Sequence, residues 1–223
     1  MSIVMAEPER VQVLYRGSFR EPVFGVLGNP AKLYANLLRH LAPFGADVRS
    51  LSINLSVLAE ANVNCHLPSV KFGSVRVSLD HLEVLLPDAE SQRQVGQVLD
   101  HAWSVMSETD ESLRPVRHAV TLFVWARLKD EVFSSYIRKF VMTPPNDAGW
   151  KAAVEFRETA DNGANVGVVH LEEAANIPEG LFLRSVVDLG AAIPETRELV
   201  PRFMQRFSAQ LKGLDLELPL RVE

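Results

Sequence analysis

Between residues 116 and 141 the spacing of apolar positions changes period within one stretch. Residues 116–126 carry Val116, Val120, Leu122, Phe123, Val124 and Trp125, with β-branched and aromatic side chains on both period-2 faces. Such a run predicts a central strand buried on two sides. After Lys129 the period becomes helical: Val132, Phe133, Tyr136, Ile137, Phe140 and Val141 fall on one stripe, with Asp130 placed to cap it.

Taken in order, residues 11–15 predict a first strand, followed by a Gly- and Pro-containing loop carrying Phe19, Val23, Phe24, Val26 and Leu27. Asn29 and Pro30 supply an N-cap and a first-turn proline for a helix with Leu33, Tyr34, Leu37, Leu38 and Leu41 on one face. Strict alternation follows, with Leu51, Ile53, Leu55 and Val57 expected inward and Ser50, Ser52, Asn54 and Ser56 outward. Val63, Cys65 and Leu67 then alternate with Asn62, Asn64 and His66. Val75, Val77 and Leu79 share one phase, whereas Leu82, Val84 and Leu86 share the other. The flip at Asp80 and His81 predicts a bulge or break. A second helix starts from Pro87 and Asp88 and turns Val95, Val98, Leu99, Ala102, Val105 and Met106 inward, and the polar residues 107–115 read as a linker.

The order then repeats. Ala152, Val154 and Phe156 form a half-buried strand, Asp161, Asn162 and Gly163 a turn, residues 166–171 a second strand, and Leu181, Leu183, Val187 and Leu189 a third. A last helix carries Leu199, Val200, Phe203, Met204, Phe207 and Leu211; it begins close to Pro201 and stops at Gly213. The expected fold is therefore α+β, in duplicated halves of strand, helix, three strands and helix displaced by roughly 100 residues. Residues 1–110 form the first repeat and 111–223 the second, together making an antiparallel sheet with helices packed on one face. Asn62, Val63, His66 and Leu67 line up with Asn165, Val166, His170 and Leu171. In topology alone this arrangement resembles the helix-grip and TATA-binding-protein-like folds. No motif residue carries the resemblance, so it implies a fold and no activity.

Composition narrows the function classes. With 47% hydrophobic and 23% charged residues the chain has an ordinary globular make-up. A net charge of -5 leaves no basic footprint for nucleic acid, and no uninterrupted apolar run is long enough to span a bilayer. Met1 to Arg10 lacks the pattern of a signal peptide, and one cysteine suits a reducing compartment, so a cytoplasmic protein is expected.

Chemistry is sparse. Gly25 to Pro30 has glycines before a helix but none of the Lys and Ser/Thr of a phosphate loop. Cys65 and His66 are neighbours on a strand and therefore face opposite ways, which argues for a structural thiol. His66, His81, His118 and His170 with Asp80 or Asp188 would suit a metal only if the fold gathered them. Glu155, Glu158, Glu172 and Glu173 beside Arg157 look like a solvated strand face. No cofactor is expected.

The leading expectation is a non-catalytic scaffold or interaction module, a homo-oligomer or the partner of another protein, using Phe19 and a C-terminal edge strand with Leu216, Leu218 and Leu220. The alternative is a helix-grip-like binding protein holding a small apolar ligand among Phe24, Leu27, Phe123, Trp125 and Phe156. A third reading, an enzyme with dispersed His66, Asp80, His170 and Asp188, requires those four to converge.

Overall fold

The structure, a computed structural model, describes residues 3–57, 60–141, 153–159, 165–191, 193 and 195–221. Its first half runs β1 (Val4–Ser18), α1 (Phe24–Gly28), α2 (Ala31–Leu41), β2 (Leu51–Asn54), β3 (Asn62–Leu67), β4 (Gly73–Ser78), β5 (His81–Leu86) and α3 (Gln92–Thr109). The second runs β6 (Arg117–Leu128), α4 (Phe133–Ile137), β7 (Ala153–Thr159), β8 (Asn165–Glu173), β9 (Leu181–Gly190), α5 (Leu199–Gly213) and β10 (Leu216–Glu217). The chain is thus a mixed α+β protein with one large sheet, in spatial order β2-β3-β4-β5-β1-β6-β9-β8-β7. Every neighbouring pair along that path is antiparallel; β10 adds to the start of β1 in parallel.

The seam between the halves is the β1–β6 pair, in which Val13 faces Leu122, Tyr15 faces Val120 and Gly17 faces His118. Along β6 the even positions from His118 to Leu128 are buried, whereas Thr121, Phe123 and Trp125 are only half-buried. The expected burial on two sides is therefore corrected: helices cover one face, and the apolar side chains on the other pack among themselves. Val63, Cys65 and Leu67 of β3, Leu82, Val84 and Leu86 of β5, and Leu181, Leu183 and Val187 of β9 continue the same buried layer.

The helices reflect their sequence pattern. In α3 all six residues expected inward are buried, and the Ser91 hydroxyl accepts from the Gln94 N–H at 3.2 Å as N-cap. Leu33, Leu37 and Leu41 of α2 and Leu199, Phe203, Phe207 and Leu211 of α5 are buried at helical spacing. The stretch 75–86, expected as one strand with a bulge or break at Asp80 and His81, is instead two strands, β4 and β5, joined by a tight connection and paired from Ser74 with Leu85 to Val77 with Leu82. The first half therefore has four strands between its helices where three were expected.

Other expectations fail for local reasons. Asn29 does not cap α2; Pro30 occupies the N-cap without a side-chain bond. Helix α4 has five residues, and Val132 rather than Asp130 stands at its N-cap. β2 ends at Asn54; Ile53 pairs with Val63 and so shares the core face, yet Ile53, Leu55 and Val57 are 49%, 46% and 51% exposed, because nothing covers the sheet at this edge. The turn expected at Asp161, Asn162 and Gly163 lies outside the described residues.

Candidate ligand cavity

A cavity of about 280 Å³ lies between the helix-covered face of the sheet and the helices α3 and α5. Its floor is Val11, Val13 and Tyr15 of β1 with Val120 and Leu122 of β6. Val95 and Leu99 of α3 form one wall, and Leu199, Val200, Phe203 and Met204 of α5 the other. The inner end is fully buried, with Leu99 at 1% and Val120 and Leu122 each at 2% exposure. Val11, Val200, Met204 and Leu220 are half-buried and lead outward.

Short β-branched residues at five lining positions leave the volume between sheet and helices unfilled. The volume is open to solvent on one side, where Glu9, Lys71, Asp88 and Glu90 line it. The volume is close to the lower end of the roughly 300–1,000 Å³ typical of ligand pockets.

The mouth is charged and ordered. The Lys71 ammonium lies 2.8 Å from Asp88 and 3.2 Å from Glu90, and the Gln92 N–H donates to the Arg221 carbonyl at 3.0 Å. That last bond, with the β10 pairing, lays residues 214–221 across the opening as a strap. Its Leu216 and Leu218 are buried and its Leu220 lines the cavity.

Beside the floor, Tyr15 joins a buried polar cluster. The Trp103 Nε1–H donates to the Tyr15 hydroxyl at 3.1 Å, and that hydroxyl meets His118 Nδ1 at 2.9 Å. The indole stacks on the imidazole with ring centroids 5.0 Å apart. His118 Nε2 is buried with no partner. Whichever imidazole nitrogen holds the proton, one buried hydrogen of this cluster is left unpaired. Burial holds the His118 pKa down to about 4, against a weaker upward pull from Asp188, so the ring is neutral at physiological pH. Burial likewise raises the Tyr15 hydroxyl far above its ordinary value, against the Trp103 hydrogen bond. Gly17 keeps room for this cluster, because a Cβ there would overlap the Tyr15 hydroxyl and sit 2.8 Å from Pro115 Cβ. Gly17→Ala is expected to cost about 1–3 kcal/mol in urea unfolding. An unchanged midpoint would show that Tyr15 moves aside freely.

The structure does not bring together the five residues expected to hold a ligand. Leu27 and Phe24 both belong to α1, but Leu27 is buried while Phe24 is 52% exposed. Phe156 packs on Phe140 with centroids 5.2 Å apart. Phe123 and Trp125 occupy the opposite, uncovered face with Phe182, at 6.4 and 5.1 Å, and the Arg10 guanidinium lies 5.0 Å from the centre of the Trp125 ring. The expected interface residues are also taken up internally: Phe19, Leu216 and Leu218 are 8%, 3% and 7% exposed within the chain. The four dispersed enzyme candidates do not converge. His66 bonds Asn64, Asp80 bonds His81, His170 bonds Glu172 and Asp188 bonds Arg117. Six strand spacings separate β3 from β8, about 29 Å at the usual 4.8 Å per strand. Among the described residues no three His, Cys, Asp or Glu side chains group as metal ligands. Cys65 is buried and its thiol is pushed up to about 11, first by burial and then by Asp47. It is protonated and inert at neutral pH.

No family model matches the chain, and no curated protein is significantly similar to it. The case for function therefore rests on the cavity. Its lining could have been anticipated only as core, since Val13, Leu99, Leu122 and Phe203 carry the periodicity of any buried face.

Proposed function

We propose that the protein is a non-catalytic binding protein for a small apolar molecule, held between the sheet and the pair of helices α3 and α5. The observation that carries this reading is a largely apolar volume of about 280 Å³ that reaches from a charged mouth to a fully buried end. The walls offer shape and desolvation without a nucleophile or an acid–base pair, which suits holding a molecule rather than transforming it. In this reading the two halves are one ancestral unit in duplicate, and the cavity straddles their seam. The strand order running outward from β1 and β6 supports that view.

Native mass spectrometry of freshly purified protein is expected to show a co-purifying small molecule lost on organic extraction. The stripped protein is then expected to take up the neutral fluorophore N-phenyl-1-naphthylamine. Met204→Trp places an indole into the opening from a half-buried position on α5 and should weaken uptake at least about tenfold, equivalent to about 1.4 kcal/mol. Equal uptake by the variant would remove the cavity from the account.

A second reading, self-association, is supported by the aromatic strip of Phe123, Trp125 and Phe182 on the uncovered face. The Phe123→Ser, Phe182→Ser double variant is expected to lower the mass measured by sedimentation if that face joins two copies. An unchanged mass leaves the cavity as the functional feature.

A further inference from the structure

We infer that the ligand is a single-chain amphiphile with an anionic head, its chain in the cavity and its head at the guanidinium of Arg221. This rests on the reading of the cavity as a ligand site and adds the chemistry of what fills it. The deep walls carry a single polar side chain, Tyr15, whose hydroxyl oxygen already meets Trp103 at 3.1 Å and His118 at 2.9 Å. Any polar group carried to that depth would lose its water without replacement, so the inserted part is apolar.

At the mouth the other cations already have partners. Lys71 lies between Asp88 and Glu90, and Glu9 accepts from Arg127 at 2.8 Å. Arg10 donates to the Pro87 carbonyl at 3.1 Å and lies over Trp125. Arg221 differs: it is exposed, lines the cavity, and among the described residues its guanidinium has no partner. The bond from the Gln92 N–H to its carbonyl fixes its backbone over the first turn of the 18-residue α3, where the helix dipole adds positive potential. An anion at the cavity mouth would meet a planar, permanently charged donor fork without displacing an existing partner.

The test is displacement of bound N-phenyl-1-naphthylamine by dodecanoate and by dodecanol, which share a chain and differ in head charge. Wild-type protein is expected to prefer dodecanoate about fivefold, the size proper to a solvent-exposed charge pair, and to lose the preference in high salt. Arg221→Gln should bring the two competitors level without weakening dodecanol, and Arg221→Lys should keep a preference for the carboxylate. Equal competition in the wild type, or a preference that survives Arg221→Gln, overturns the anionic head and leaves the cavity reading standing. Failure of the fluorophore itself to bind overturns both.

Discussion

Truncating the strap in the double variant Leu216→Ala, Leu218→Ala is expected to cost about 4 kcal/mol of folding stability. Each side chain is buried, at 3% and 7% exposure, and truncating a buried leucine costs about 2–5 kcal/mol. The two lie on one short segment and share neighbours, so their joint effect should fall short of the sum. The strap also closes a circuit. The Val4 N–H donates to the Asp215 carbonyl at 2.8 Å, and the Tyr136 hydroxyl donates to the Leu214 carbonyl at 3.0 Å. Loss of its apolar anchors therefore loosens the start of β1 and the side of α4 together. Chemical denaturation of the double variant measures this directly. A loss below about 1 kcal/mol, the size of ordinary surface changes, would mean that residues 214–221 merely rest on the surface.

The second large effect is on the pH dependence of folding. His118 is fully buried, and its pKa falls from 6.5 to about 4, first because burial disfavours the charged ring; Asp188 opposes this only in part. Between those two values the unfolded chain binds a proton that the folded protein excludes, so stability rises with pH across that window and is complete above it. Acidification from pH 7 to pH 4 should thus remove on the order of 3 kcal/mol through this residue. His118→Phe removes the titration, and its unfolding free energy should fall less steeply over the same range. Matching slopes for wild type and variant would assign acid sensitivity to another group.

Much of the fold was legible in the sequence because its elements bury one clean face. The α3 stripe from Val95 to Met106 and the alternation in β3 each identify an element by periodicity alone, whereas the phase change at Asp80 and His81 marks a break without showing that two paired strands meet there. Exposure was harder to read. The run 51–57 alternates as well as any strand, yet Ile53, Leu55 and Val57 lie at an edge where nothing covers them. Periodicity shows which side chains share a face and is silent on what meets that face. The stripe after Lys129 misleads in another way. Phe140 reaches the core through successive tight turns, with the Lys139 N–H on the Tyr136 carbonyl and the Phe140 N–H on the Ile137 carbonyl, so helical spacing outlasts the helix. The cavity was not legible at all. A valine beside empty space and a valine against a leucine look identical in a sequence, and only the separation of two helices above two central strands distinguishes them.

The position of β1 carries a consequence for biogenesis. It pairs on one side with β5, which follows within the first half, and on the other with β6, whose residues lie about a hundred places downstream in the register. On the ribosome, β1 through β5 complete their pairing first. β1 then forms the open margin of a five-strand sheet, while the second half, which supplies α5 and the remaining cavity floor, has yet to emerge. An unpaired margin of this kind invites non-native strand addition until its mate is synthesised. In the nascent chain that margin therefore stays unpaired until Arg117–Leu128 clears the exit tunnel.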